Sequence, residues 1–248
     1  MIVQYRFALN SQDETRINGY HLYGWLMEQL PPTFGEQFHK SVEHPLSQYL
    51  YRDRSSDELI WVLNLLSEEL AQVLSPVLDG SGEIPLCTGM VAARLLETHA
   101  IPNPEALILH ARQEMPERRC TFTFRCVTSF RQDGRYVLFP QEQLILNSLI
   151  RRWDQVCPAY ALTDEDALAA LLRGIRISDY RLRSGRYWMK DVKIPGFIGS
   201  ITLSARLSPP MMEVWRLLCR FAPYAGVGIK TSLGMGGVSV EEGSGANR

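Results

Sequence analysis

Hydrophobic and polar positions divide the chain into two similar series of elements. Val3 to Ala8 alternates apolar and polar, the period-two signature of a half-buried strand. Ile17 to Leu30 carries Ile17, Tyr20, Leu22, Tyr23, Leu26, Met27 and Leu30 at helical spacing, and Pro31-Pro32 ends it. The spacing predicts a short helical turn over Phe34 to Lys40. It predicts a strand pair, Ser47 to Tyr51 and Glu58 to Leu66, across the polar turn Arg52 to Asp57. Ser67 to Leu78 reads as a helix with Ser67 as N-cap and Glu68 and Glu69 in its positive first turn. Glu83 to Leu86 and Met90 to Leu96 read as strands. The order is βαββαβ, that of a ferredoxin-like unit.

The second series begins near Glu117. Cys120 to Phe130 alternates as a strand, and Gln141 to Val156 is an amphipathic helix with Leu144, Leu146, Leu149, Ile150 and Trp153 on its apolar face. Thr163 to Asp166 caps a helix that runs to about Arg173, with Gly174 at its end. Its acidic residues read as a solvated helix N-terminus rather than a metal site. Ile175 to Met189 and Phe197 to Leu207 read as strands around Pro195-Gly196. Pro209-Pro210 opens a helix over Met211 to Phe221, and Val238 to Val240 is a last strand. The expected architecture is therefore α+β, two tandem ferredoxin-like (RRM-like) domains over residues 1–115 and 116–248, joined near Ala100 to Glu117.

Charge adds an asymmetry that the net value of −1 conceals. Residues 1–117 hold seven Lys and Arg against sixteen Asp and Glu, and residues 118–232 hold eighteen against nine. A basic half beside an acidic half points to a polyanion partner. All but four of the cations are arginine, which binds phosphate bidentately and stacks on bases. Seven cations fall between Arg173 and Lys193, with Tyr180, Tyr187 and Trp188 interleaved. This suits RNA, although a solvated basic hairpin has the same composition. Five scattered cysteines form no CxxC pair, and no apolar run is long enough to span a membrane, so a reduced, cytoplasmic protein is expected.

The densest chemical signal is Pro223 to Val238, PYAGVGIKTSLGMGGV. Gly226, Gly228, Gly234 and Gly236 surround Lys230, Thr231 and Ser232. Glycines allow tight turns and close approach to a bulky anion, and the N–H groups, lysine and hydroxyls suit a phosphate backbone. The spacing matches neither a Walker loop nor GxGxxG, and a flexible connector has the same glycine content.

This run resembles the glycine-rich loop of the CRISPR-associated endoribonucleases that process precursor CRISPR RNA, the Cas-six family of the RAMP superfamily. GFIGSITL (Gly196 to Leu203) resembles the hairpin element before that loop. FPQEQLILNSLIRRWDQVCP (Phe139 to Pro158) resembles the helix that opens the second domain. FHKSVEHPLSQYL (Phe38 to Leu50) resembles the His-bearing segment. The resemblance implies a double ferredoxin-like fold, binding of CRISPR repeat RNA, and cleavage without metal or cofactor. It admits a homodimer and association with a CRISPR effector complex. The alternative is a non-catalytic RAMP-type subunit that coats CRISPR RNA.

Metal-free RNA cleavage needs a base for the 2′-hydroxyl, an acid for the leaving 5′-oxygen, and cations for the phosphorane. Of five histidines, His39 and His44 lie within six residues, beside Lys40 and ahead of Pro45. On one helix they would stand about 140° apart. A helix ending near Lys40 and a bend at Pro45 would instead bring both to one phosphate. Paired surface histidines have the same spacing. The resemblance places the family's histidine at His39, with His44, Lys40 and Tyr23 as helpers. It places RNA binding on Gly226, Gly228, Lys230, Thr231, Ser232, Gly234 and Gly236, and the basic run adds Arg181, Arg183, Arg186 and Lys190.

Overall fold

A computed structural model describes residues 1–11, 17–32, 34, 44–80, 82–113 and 118–243. The first alternating segment forms β1 (Ile2–Asn10), followed by α1 (Gly19–Glu28), β2 (Leu46–Arg52), β3 (Leu59–Leu65), α2 (Glu68–Gly80), β4 (Glu83–Leu86) and β5 (Gly89–Ile101). The strands pair antiparallel in the order β2-β3-β1-β5-β4. Val3, Tyr5, Phe7 and Leu9 project from one face of β1 onto Leu22, Trp25 and Leu26 of α1 and Leu70, Leu74 and Leu78 of α2. Period-two and period-3.6 patterns thus meet in one core. Ser67 caps α2 as expected, its Oγ accepting from Leu70 N–H at 3.2 Å.

After α3 (Pro104–Gln113) come β6 (Arg119–Thr128), β7 (Phe130–Gln132), β8 (Arg135–Val137), α4 (Glu142–Val156), α5 (Glu165–Gly174), β9 (Ile175–Met189), β10 (Val192–Ala205), α6 (Pro209–Ala225) and β11 (Val238–Glu242). This sheet has the order β11-β6-β10-β9, the permutation that β5-β1-β3-β2 makes in the first sheet. The chain is two tandem ferredoxin-like units, with β4 an extra edge strand on the first. Phe122 and Phe124 of β6 and Ile201 and Leu203 of β10 pack against Leu149 and Trp153 of α4 and Trp215 and Phe221 of α6.

Three details differ from the sequence expectation. The β9–β10 hairpin turns at Lys190-Asp191, not at Pro195-Gly196; Lys190 takes a left-handed conformation (φ 51°). Pro195 pairs with Arg186 inside β10, beyond the end of the β6 ladder at Phe197, where a missing N–H breaks no bond to β6. The strand expected to reach Phe130 stops at Thr128. A short β7–β8 hairpin then turns at Asp133-Gly134, both with positive φ (50° and 76°), as an Asp-Gly turn favours. Finally, α3 fills much of the expected junction and packs on the second unit. Leu107 and Ala111 enter that core, and Arg112 Nε pairs with Glu213 at 3.1 Å. The turn expected at Phe34 to Lys40 lies, after Phe34, outside the described residues. No described helix is long and apolar enough to cross a membrane.

Candidate RNA-cleavage site at the glycine run

The two units meet where β2 lies against the glycine run. Gln48, fully buried, donates from Nε2 to Gly19 O (3.0 Å) and Ser232 O (2.8 Å) and accepts from Trp61 Nε1 (2.8 Å). Ser47 Oγ donates to Tyr224 O, and Asn64 Nδ2 donates to Ser47 Oγ at 2.9 Å. From the second unit Arg152 of α4, 6 % exposed, reaches Leu46 O at 2.6 Å. Polar groups this deep are costly unless bonded, so this network ties the units in one register. The sequence permits the contact through two absent side chains. A Cβ on Gly19 would stand 2.5 Å from Gly234 Cα, and one on Gly237 would stand 2.0 Å from Tyr49 Cγ.

Beside this contact the glycine run opens into a cavity of about 440 Å³. Gly226 (φ 69°) and Gly228 (φ 92°) turn the chain, and Lys230, although not glycine, is left-handed as well (φ 56°). Gly228 N–H is held by Ser148 Oγ of α4 at 2.8 Å. Four cations line the cavity, namely Lys230 with Arg131, Arg151 and Arg152, together with Thr231, Ser232 and His44; its described lining contains no carboxylate. Tyr23 Oη stands 3.4 Å from His44 Nε2, the direction of any hydrogen bond set by the histidine tautomer. Burial raises the Tyr23 phenol above its ordinary pKa, so near neutral pH it keeps its proton and can donate.

The predicted residues that the structure describes therefore fall into three groups. His44, Gly226, Gly228, Lys230, Thr231 and Ser232 share one cavity. Gly234 and Gly236 belong to the same run but are buried, Gly234 against Gly19 and Gly236 N–H bonded to Val127 O at 3.1 Å. Arg181, Arg183 and Arg186 are exposed along β9, and Lys190 at the hairpin tip stands 5.5 Å from the Tyr20 ring centroid. His39 and Lys40 lie outside the described residues. Tyr187, one of the aromatics interleaved with the basic run, donates its hydroxyl to Leu233 O and braces the glycine run.

Arg131, Ser148, Arg151 and Arg152 were not among the expected site residues. Ser148, Arg151 and Arg152 follow i, i+3, i+4 spacing on α4, a polar stripe that the sequence displays once the apolar face is subtracted. Arg131 is placed by the β7–β8 hairpin, whose Asp-Gly turn was the available signal.

Comparison with known proteins supplies a family context. A model of the CRISPR-associated endoribonuclease Cas6 family matches residues 122–238. A CRISPR-associated endoribonuclease Cas6 of Mycobacterium tuberculosis is 29% identical over 228 residues, covering 90% of this chain and 71% of that protein. One of Streptococcus thermophilus is 26% identical over 221 residues, covering 89% and 90%. Among solved structures, a Cas6 product complex superposes with a TM-score of 0.78 at 25% identity, covering 97% of this chain and 100% of that one.

Proposed function

Because the chain belongs to the Cas6 family of CRISPR-associated endoribonucleases, we propose that it binds CRISPR repeat RNA and cuts precursor CRISPR RNA without a metal. A histidine takes the proton of the 2′-hydroxyl at the scissile nucleotide, and that oxygen attacks the adjacent phosphorus. The bond from phosphorus to the 5′-oxygen breaks, and an acid returns a proton to the leaving oxygen. The products are a 2′,3′-cyclic phosphate and a 5′-hydroxyl. His44 and His39 are the acid–base pair in this reading, Lys40 assists, and Tyr23 positions the His44 ring.

One observation carries the reading: a histidine shares a cavity with four cations, and the described lining holds no carboxylate. Arginine and lysine around a phosphorane stabilise the charge that develops in the transition state. Hard divalent cations prefer carboxylate oxygens, which the described lining does not offer. Gly226 and Gly228 let backbone approach the phosphate, and the side chains of Thr231 and Ser232 can donate to it. The Mycobacterium and Streptococcus relatives are endoribonucleases by name, and the superposed Cas6 is a product complex, which supports RNA as the ligand here.

The test is incubation of the protein with its cognate repeat RNA in excess chelator. Cutting is expected to persist and to leave a cyclic phosphate or its hydrolysed form. A 2′-deoxy substitution at the scissile nucleotide is expected to abolish it. Efficient cutting of the deoxy substrate would exclude the mechanism. Tight binding with no cutting would make the chain a non-catalytic RNA-coating subunit.

A further inference from the structure

A second cavity, of about 670 Å³, shares a wall with the one at the glycine run. Arg131, Ser148, Arg151, Gly228 and Ile229 line both. On α4 the lining residues Leu144, Asn147, Ser148, Arg151, Asp154 and Gln155 follow helical spacing, so one stripe of the helix runs from the shared wall into the second cavity. Leu144 and Ile150 of α4, Leu168 of α5, and Leu162 and Ile229 supply apolar surface. Polar groups stand around it. The amides of Asn147 and Gln155 are exposed to the cavity mouth. Asp154 is held in place, accepting from Leu162 N–H at 2.6 Å and from the Thr163 hydroxyl. Asp164 is held as the cap of α5, accepting from Ala167 N–H at 2.7 Å.

The order of charges along this path separates two kinds of ligand group. Among the described lining residues, Arg131 and Arg151 stand at the shared wall, whereas Asp154, Asp164 and Glu165 line the second cavity and not the first. A phosphate at the glycine run meets the cations. A second phosphate farther in would meet carboxylates and be repelled. An uncharged group with N–H donors meets acceptors there instead. A nucleobase is such a group: it is flat, has apolar faces, carries N–H donors on its edge, and hangs one ribose away from a phosphate. Single-stranded RNA is commonly read through splayed bases held by their edges. The volume lies in the range of small-molecule sites. Ser148 joins the two cavities. Its Oγ accepts from Gly228 N–H at 2.8 Å, and its own O–H can donate to a ligand at the wall.

We propose that this cavity takes the base of one of the two nucleotides that share the scissile phosphate, and that it prefers a base with an exocyclic amino group, such as cytosine, over uracil. The inference rests on the RNA-cleavage reading above. The amides of Asn147 and Gln155 can serve either base, because an amide both donates and accepts. The discrimination comes from the carboxylates, which only accept: cytosine offers them amino protons, and uracil puts a carbonyl oxygen in the same place. The cavity thus ties the point of cleavage to sequence as well as to the position of a phosphate.

The experiment compares wild type with the Asp164→Asn/Glu165→Gln double variant. Both side chains are exposed, the replacements keep their shape, and Asn caps a helix as Asp does. Affinity is measured by fluorescence anisotropy on repeat RNAs with a 2′-deoxy scissile nucleotide. Each nucleotide flanking the scissile phosphate is made in turn abasic, cytosine or uracil. At one of the two positions the abasic RNA is expected to bind wild type roughly 5- to 150-fold more weakly, the range for one stacked base. At that position cytosine is expected to bind more tightly than uracil. In the variant the cytosine-to-uracil ratio is expected to move towards one. The ratio cancels any general gain in RNA affinity from removing two negative charges. Unchanged affinity for both abasic RNAs would overturn the proposal, and so would equal binding of cytosine and uracil to wild type. A ratio that the variant leaves intact would overturn it as well, since the base would then be read elsewhere. If wild type neither binds nor cuts the unmodified repeat, the RNA reading fails and takes the proposal with it, a result distinct from the other three.

Discussion

The two units share a strand order and differ in what they contribute. Of the described residues that line the cavity at the glycine run, the first unit supplies only His44, with Tyr23 behind it. Among those described residues, the second unit supplies all the cations, from α4, the β7–β8 hairpin and the glycine run. On the proposed reading a duplicated fold divides the work: proton transfer on the acidic unit, anion binding on the basic one. The division follows the charge asymmetry of the sequence, since the described cations of the cavity all come from the basic half and His44 from the acidic one. It also makes the interface part of the proposed site, because both units contribute described residues to the cavity lining.

The proton-transfer side is expected to give the largest effect. General acid–base catalysis by one side chain contributes about 10²–10⁴-fold. His39→Ala should lower the single-turnover rate by about that factor, with repeat-RNA affinity within a few-fold of wild type, and His44→Ala should show a comparable or smaller loss. Rates and dissociation constants measured on the same preparations decide the matter. An equal fall in both would move the histidine to the binding side of the comparison. Full activity in both single variants and in the double variant would remove the pair from the site.

The interface comes next. Gly237→Ala places a methyl against the root of the Tyr49 ring, in a contact with no free end to give way. Overpacking of this kind costs about 1–3 kcal/mol, and a domain of this size should melt roughly 2–12 °C lower. Cleavage is expected to fall further than binding, because the displaced β2 follows directly on His44. An unchanged melting temperature would show that the units are not held here.

These contrasts were unevenly legible in the sequence. Both βαββαβ series could be read from periodicity and caps, because Ser67 and Asp164 bond their own helices, Asp164 Oδ1 accepting from Ala167 N–H at 2.7 Å. The hairpin tip was misplaced because Pro195-Gly196 looks like a turn. Gly196 is needed instead for close approach to Thr128, whose O would lie 2.2 Å from a Cβ there. The glycine run was recognisable as a unit, but not its two roles. Whether a glycine faces a cavity or a neighbouring backbone depends on Gly19 and Tyr49, some two hundred residues earlier. Arg152 was visible in the sequence, yet its bond to Leu46 O joins residues 106 apart and leaves no local trace.

On the anion-binding side, Lys230 allows charge and backbone to be separated. Its left-handed conformation (φ 56°, ψ 36°) suits glycine better than lysine. Lys230→Gly should therefore melt close to wild type yet bind repeat RNA more weakly, with a salt slope smaller by roughly 0.7, as for one single-strand phosphate contact. Lys230→Ala should lose the same affinity and, in addition, some stability. If the glycine variant keeps full affinity, the cation is not a phosphate contact and the cavity's charge rests on its arginines.

The smallest effect is expected where the two sides touch. Tyr23 belongs to α1 of the first unit and reaches His44 at 3.4 Å, long for a hydrogen bond. Its ring also stands 5.5 Å from the imidazole, centroid to centroid, so it orients the histidine by packing as well as by its hydroxyl. Tyr23→Phe keeps the packing and removes only the hydroxyl. A neutral hydrogen bond contributes about 0.5–1.5 kcal/mol net, and the single-turnover rate should fall by roughly 2- to 12-fold with affinity unchanged. Tyr23→Ala removes both and should approach the loss seen for His44→Ala. The pH–rate profile distinguishes positioning from proton transfer. If Tyr23 only orients His44, the Phe variant keeps the shape of the wild-type profile at lower amplitude. If the phenol is itself the acid, the alkaline limb of the profile disappears in Tyr23→Phe, and the first unit's chemistry belongs to a tyrosine–histidine pair.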